Sequence, residues 1–465
     1  MKYISTRGQA PVLDFKDVLL SGLASDGGLY VPQEYPSFSA DDIRKLQGLS
    51  YPDLAAQILC PFVDGALSDG EIVDLTHKAY AHFTHAATAP LKQLDTNLWV
   101  MELFYGPTLA FKDYALQLVG LLFDAILSKS GKKITIAGAT SGDTGSAAIE
   151  ACKNRSCIDI FILHPYNRVS EIQRRQMTTV HAPNVFNIAV EGCFDDCQNI
   201  VKQLFADADF RKDYALSAVN SINWARIMAQ VVYYFWAALH LGAPDRRVSF
   251  AVPTGNFGNI FAGFVAKKMG LPVDKLIVGS NANDILPRFF ETGEMKKSQV
   301  VPSISPSMDI QVSSNFERLL FEFSGRDAKR VADFMDAFKY EGVYRVPDDI
   351  MTEMRKEFQA FRCDDALTKQ NMREIFDRTG EVFDPHSAIG YAAGKAYAKA
   401  DVPTVCLATA HPAKFPNAVR DAVGKTPELP ARLEYLKTMR ENFTVLPNAT
   451  DAIKYFIETK VSKKG

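Results

Sequence analysis

Residues Val248 to Lys268 read VSFAVP-TGNFGN-IFAGFVAKK. An apolar, β-branched run gives way to Thr, Gly and Asn and then to a helical pattern, so the unit is a strand, a tight turn and a helix start. A helix N-terminus offers free N–H groups and the positive end of the dipole, and glycine lets an anion approach the backbone. Lys132 to Ala151, KKITIA-GATSGDTG-SAAIEA, repeats this arrangement. Neither turn has the lysine of a Walker motif or the spacing of a dinucleotide fingerprint. Gly255, Asn256, Phe257, Gly258 and Asn259 suit a single phosphate. Thr140, Ser141 and Thr144, with Asp143 among them, add hydroxyls suited to a phosphate or carboxylate. The alternative is two ordinary strand-to-helix turns, with Ser141 or Thr144 as an N-cap.

Outward from these junctions the pattern alternates. Strands are expected at Leu98–Leu103, Ile134–Ala137, Ile158–Leu163, Val185–Val190, Val248–Val252, Leu276–Val278 and Thr404–Ala408. Apolar helical segments such as Ala115–Leu127 and Ala225–Leu241 lie between them. Strand–helix alternation predicts an α/β fold with a largely parallel sheet, and ligands then bind at strand C-termini. Residues 1–90 carry helical periodicity and few β-branched runs, which predicts a mainly helical N-terminal region. The expected division is 1–90, then a smaller α/β domain over 91–235, then a larger one over 236–465. The charged stretch Lys339–Arg373 reads as a solvated helical excursion.

The formal net charge is −2, so no global electrostatic case exists for nucleic acid or an anionic membrane as partner. The N-terminus lacks an apolar signal-peptide core, and Val231–Ala243 is too short to span a bilayer. Seven cysteines, odd in number and irregularly spaced, fit reduced thiols in the cytoplasm better than a disulfide framework or a zinc site. No metal site is expected; His77, His82 and His85 read as a solvated helix face. Whether the chain is a monomer or a dimer is left open.

Lys112 opens a helix so apolar (Ala115, Leu116, Leu118, Val119, Leu121, Leu122, Phe123) that burial on most sides is expected. Burial and the positive helix end both disfavour the ammonium form and make a better amine nucleophile. A snorkelling lysine, or one paired with Asp113, is the plainer reading. A third junction, Val405-Cys406-Leu407-Ala408-Thr409-Ala410-His411-Pro412-Ala413-Lys414, ends its strand in a hydroxyl and a histidine. His411 and His386 each suit either catalysis or capping and packing. An amine able to form a Schiff base, one phosphate cradle and a second anion loop are the parts of a pyridoxal-phosphate (PLP) enzyme.

The chain resembles the threonine synthases of the longer bacterial and fungal type over nearly its whole length. The blocks that carry the likeness are Ser25-Asp26-Gly27-Gly28-Leu29-Tyr30-Val31-Pro32, Gly106 to Asp113, Thr140 to Gly145, Gly255 to Asn259, Ser307 to Gln311 with Ser314 to Arg318, Asp384-Pro385-His386 and Ala408 to Pro412. The resemblance implies the tryptophan-synthase-β-like fold of PLP enzymes. It implies that Lys112 holds the cofactor, that Gly255, Asn256, Phe257, Gly258 and Asn259 bind its phosphate, and that Thr409 faces its ring nitrogen. It further implies that Thr140, Ser141, Asp143 and Thr144 sit by the substrate, O-phospho-L-homoserine, which reacts with water to give L-threonine and phosphate. A serine/threonine dehydratase on the same fold, or a silent binder of a phosphorylated amino acid, are the alternatives.

Overall fold

The structure is a computed structural model and describes residues 1–463; the last two residues of the expected C-terminal unit lie outside it. Two sheets organise the chain. The six-stranded sheet runs, edge to edge, Phe358–Arg362, Val273–Ser280, Val248–Pro253, Thr404–Ala408, Leu98–Glu102 and Leu91–Asp95. All neighbours are parallel except the last pair. The five-stranded sheet is wholly parallel, in the order Thr444–Pro447, Val185–Glu191, Ile158–Pro165, Ile134–Ala139 and Leu216–Ser217. Their central strands are buried on both faces, as continuous Val/Ile/Phe runs require.

Sheet membership is interleaved along the chain and does not divide at residue 235. Leu91–Asp95 and Leu98–Glu102, placed in the expected 91–235 unit, hydrogen-bond into the six-stranded sheet. Thr444–Pro447, placed in the expected C-terminal unit, pairs with Val185–Glu191 of the other sheet. The chain therefore passes between sheets three times, through residues 103–133, 218–247 and 409–443. Sequence reading follows chain order, whereas sheet pairing follows space.

The N-terminal region is mainly helical, with a small antiparallel sheet of Leu13–Asp14, Lys2–Ser5 and Tyr30–Pro32 in addition. Its helices start at capping side chains: Asp14 caps Phe15–Ser21, Ser50 caps Tyr51–Val63, and Ser68 forms a capping box with Glu71 at Asp69–Tyr80. An aromatic cluster docks these helices on Lys112–Ser130 and Trp224–His240, with Tyr51 edge-on to Tyr80, Tyr114 and Trp236. Glu317 accepts from the Arg7 guanidinium at 2.9 Å and from the Thr6 hydroxyl at 2.6 Å. Next to it, the fully buried Arg318 donates to the carbonyls of Tyr30 (3.0 Å) and Ile222 (2.6 Å) and to Asn315 Oδ1.

The stretch Lys339–Arg373 is not a purely helical excursion. It contains a helix, Asp348–Glu357, and then Phe358–Arg362, the edge strand of the six-stranded sheet. Half-buried and charged at its end, this strand follows the edge rule rather than the core pattern. Among the described residues no helix is long and apolar enough to cross a membrane.

Candidate active site

The carboxyl ends of the two sheets meet, and the junctions singled out from sequence line the meeting place. Helix Gly258–Lys268 follows strand Val248–Pro253, and helix Asp143–Cys152 follows strand Ile134–Ala139. Neither helix is capped by the side chain of its N-cap residue; the first-turn N–H groups of Gly258–Lys268 lack the usual partners, whereas in Asp143–Cys152 the Gly145 N–H is taken by the Thr140 hydroxyl. At the first, Phe257 adopts a left-handed backbone (φ 62°) that its buried ring holds by packing edge-on to Phe316. Gly255 is held against the carbonyl of Ser307: a Cβ there would lie 2.9 Å from it. Asn256 is exposed, and its carbonyl accepts from the backbone and side chain of Asn315. Asn259 Oδ1 accepts from Tyr233 (2.6 Å) and Tyr234 (2.9 Å), while its buried Nδ2 has no partner among the described residues. Uncapped N–H groups, an orphan amide donor and a glycine pressed to the backbone fit a phosphate.

At the second junction Gly142 has φ 143°, and a Cβ would strike the Gln173 side chain at 2.6 Å, so only glycine serves. Thr140 is part of the turn itself: its buried hydroxyl accepts from the N–H groups of Gly142 and Gly145, both at 2.9 Å. Ser141 is exposed and Thr144 half-buried, and neither caps the helix.

Lys112 is the first residue of its helix, as expected, and its side chain is 12% exposed. Its partner is Asp143 rather than Asp113. Asp113 instead accepts from the backbone N–H and hydroxyl of Thr108, at 2.8 and 2.7 Å. Asp143 Oδ2 lies 3.3 Å from Lys112 Nζ. Oδ1 takes Lys414 Nζ at 2.9 Å and Gln173 Nε2 at 2.8 Å. Burial, aided by the nearby Lys414 and Arg226, lowers the Lys112 pKa against the opposing pull of Asp143. Burial works to raise the Asp143 pKa, but Lys414 and Lys112 prevail and hold the carboxylate well below its usual range.

Thr409 is brought to Lys112 by a short antiparallel bridge. Phe111 N–H donates to the Thr409 carbonyl and His411 N–H to Leu109, on either side of the paired Ala110 and Ala410. The Thr409 N–H donates to Ser387 Oγ at 3.0 Å, and Ser387 is fixed by Asp384. His386 joins the same network, with Nδ1 bonded to Asp384 at 2.7 Å and Nε2 accepting from Ser307 N–H. His386 therefore supports the cradle, and His411 caps the turn after it, accepting from Ala413 N–H. Sequence reasoning missed Lys414, Gln173 and Arg226. Arg226 is 3% exposed and donates to the Val219 carbonyl, but has no carboxylate partner among the described residues. A charged residue in the first turn of an otherwise apolar helix was the available signal.

A desolvated lysine, together with the uncapped, glycine-lined start of helix Gly258–Lys268, defines a pyridoxal-phosphate enzyme. In agreement, residues 84–358 match the family model "Pyridoxal-phosphate dependent enzyme", residues 2–80 "Threonine synthase N terminus" and residues 387–457 "Threonine synthase, C-terminal". The threonine synthase of Pseudomonas aeruginosa is 56% identical, with 98% of each chain covered. The PLP-bound threonine synthase structure from Brucella melitensis superposes with a TM-score of 0.97 at 52% identity, covering 99% of both chains. The yeast threonine synthase structure gives 0.93 at 37% identity, covering 99% of this chain and 98% of that one. The chain belongs to the threonine synthase family, and its fold is that of the tryptophan-synthase-β-like, fold type II PLP enzymes.

Proposed function

We propose that the chain converts O-phospho-L-homoserine and water to L-threonine and phosphate, and that it works in the cytoplasm. The observation that carries the reaction is the placement of Lys112, a buried amine with a lowered pKa, against the start of helix Asp143–Cys152, in a chain whose helix Gly258–Lys268 starts uncapped. All seven cysteines are free, which supports a reducing compartment.

In this reading Lys112 holds the cofactor. The N–H groups at Gly255, Asn256, Phe257, Gly258 and Asn259 hold its phosphate, and the Thr409 hydroxyl meets its ring nitrogen. When bound, the cofactor supplies an electron sink next to the substrate Cα. Lys112, whose pKa burial lowers, would serve as the base that takes first the Cα and then a Cβ proton. The start of helix Asp143–Cys152, with Ser141 and Thr144 beside it, binds the substrate. Thr140 holds the shape of that turn. Arg226, a buried guanidinium with no carboxylate partner among the described residues, faces the substrate phosphate and stabilises its charge as it departs. The proton taken from Cβ is delivered to Cγ, which becomes the methyl group; water then adds its hydroxyl at Cβ, its proton leaving with the phosphate, and Lys112 returns the other proton to Cα.

The test is an absorbance spectrum of the purified protein with and without O-phospho-L-homoserine, with phosphate and threonine followed alongside. A cofactor band that shifts while both products appear in equal amounts is expected. A Lys112→Ala variant is expected to lose turnover, and one with normal activity would overturn the reading.

A further inference from the structure

We propose that Lys414 is a positioning residue that keeps Lys112 in its neutral amine form by occupying the negative charge of Asp143. The inference rests on the assignment of Lys112 as the cofactor-carrying lysine. Lys414 is fully buried, and its ammonium is spanned by two acceptors, Asp143 Oδ1 at 2.9 Å and the Thr108 carbonyl at 2.7 Å. Thr108 is itself held by Asp113 and by Gln176, so this second acceptor is fixed. Lys112 takes the other oxygen of the same carboxylate, at 3.3 Å, and its Nζ lies over the Phe111 ring, 4.9 Å from the centroid.

The groups that face this cluster come from several elements. Helix Lys112–Ser130 supplies Lys112, helix Asp143–Cys152 supplies Asp143, helix Trp224–His240 supplies Arg226, and the turn Pro412–Lys414 supplies Lys414. Helix Glu171–Thr178 contributes the neutral amides of Gln173 and Gln176. Asp113 stands behind the Thr108 turn, with Arg432 and His411 beyond it. Around the amine there are thus two further cations, Lys414 and Arg226, and one directly contacting carboxylate. One carboxylate offsets one ammonium. The tighter, doubly anchored lysine takes it, and the more loosely held Lys112 is the one that sheds its proton. Without Lys414, Asp143 would instead hold the Lys112 proton in place, and the nucleophile would be locked as an ammonium.

The experiment titrates Lys112 in the cofactor-free protein. A trace of acetic anhydride acetylates only neutral amines, and peptide mass spectrometry reads the extent at Lys112 across about pH 6 to 10. Lys414→Met is expected to cut labelling of Lys112 near neutral pH about tenfold, because an unopposed carboxylate within about 4 Å raises an amine pKa by a unit or more. Lys414→Arg keeps the charge and is expected to label within about twofold of the parent. Should the Met variant not fold, Lys414→Gln keeps a donor toward Asp143 and Thr108 without the charge and serves in its place. Combining Lys414→Met with Asp143→Asn is expected to restore labelling, which a merely structural role would not do. Parent-like labelling in the folded Met or Gln variant, or an equal loss in the Arg variant, overturns the proposal. Borohydride reduction of the loaded parent, followed by peptide mapping, separates the two levels. Trapping at another lysine would defeat the assignment of Lys112, whereas trapping at Lys112 with an unmoved titration would defeat the role of Lys414 alone.

Discussion

Replacing Arg318 by Met should loosen the joint between the N-terminal region and the cofactor loop. The guanidinium is fully buried and serves three acceptors, the carbonyls of Tyr30 and Ile222 and the side chain of Asn315. Hydrogen bonds from a charged donor are worth about 1.5–3 kcal/mol each, so some 6 kcal/mol of bonding is at stake. Against this stands the charge's own desolvation. Burial pulls the Arg318 pKa down to about 10 from 12.5, which corresponds to roughly 3 kcal/mol relieved on removal. Met fills the volume of the stem but meets none of the acceptors, leaving a net loss of about 3 kcal/mol. Asn315 also donates to the Asn256 carbonyl, so cofactor affinity should fall about tenfold with it. Urea unfolding and a cofactor titration followed by absorbance measure the two effects. A variant within about 1 kcal/mol of the parent and with unchanged cofactor affinity would refute the reasoning, since water would then be meeting those carbonyls.

Other expectations follow from the same geometry. Arg226→Met should raise KM for O-phospho-L-homoserine about 100-fold, the scale of one charge-assisted contact. It should also raise the thermal midpoint or leave it unchanged, because it removes a buried guanidinium whose pKa burial has already drawn down to about 10; steady-state kinetics and a melting curve check both. His411 is pushed down to about 4 from 6.5, chiefly by burial and then by Arg432. Between those values the folded protein binds fewer protons than the unfolded chain, so stability is present above about 6.5 and is lost as pH falls through about 4. His411→Gln should remove up to about 3 kcal/mol of that acid sensitivity, read as a flatter melting midpoint between those pH values.

The strands legible in sequence are those buried on both faces. Ile134–Ala139, Ile158–Pro165 and Val248–Pro253 occur within a few residues of expectation, because a continuous apolar run leaves the chain few other uses. Phe358–Arg362 and Thr444–Pro447 escaped because they lie at sheet edges, where one flank is free and the apolar pattern weakens. The strands of the N-terminal region are too short to carry a period. Lys112 could be singled out because a cation at the mouth of an apolar helix is costly. Its ion pair could not, because Asp143 and Lys414 lie 31 and 302 residues away along the chain. Arg226 falls in the expected apolar helix Ala225–Leu241, and its lack of a carboxylate partner among the described residues is visible only in three dimensions.

The three passages between the sheets bear on how the protein can move. Lys112 stands on the first, Arg226 on the second, and Thr409 and Lys414 on the third. A body joined by one strand of chain can swivel freely, whereas three parallel tethers confine two bodies to a narrow arc, like a lid on several straps. Each strap here is also a working part. Any rocking of one sheet against the other must therefore change the spacing of Lys112, Arg226 and Lys414 directly, with no intervening linkage. Cutting one strap by limited proteolysis should leave the halves associated and yet disturb the site, a behaviour opposite to that of domains strung on a single linker.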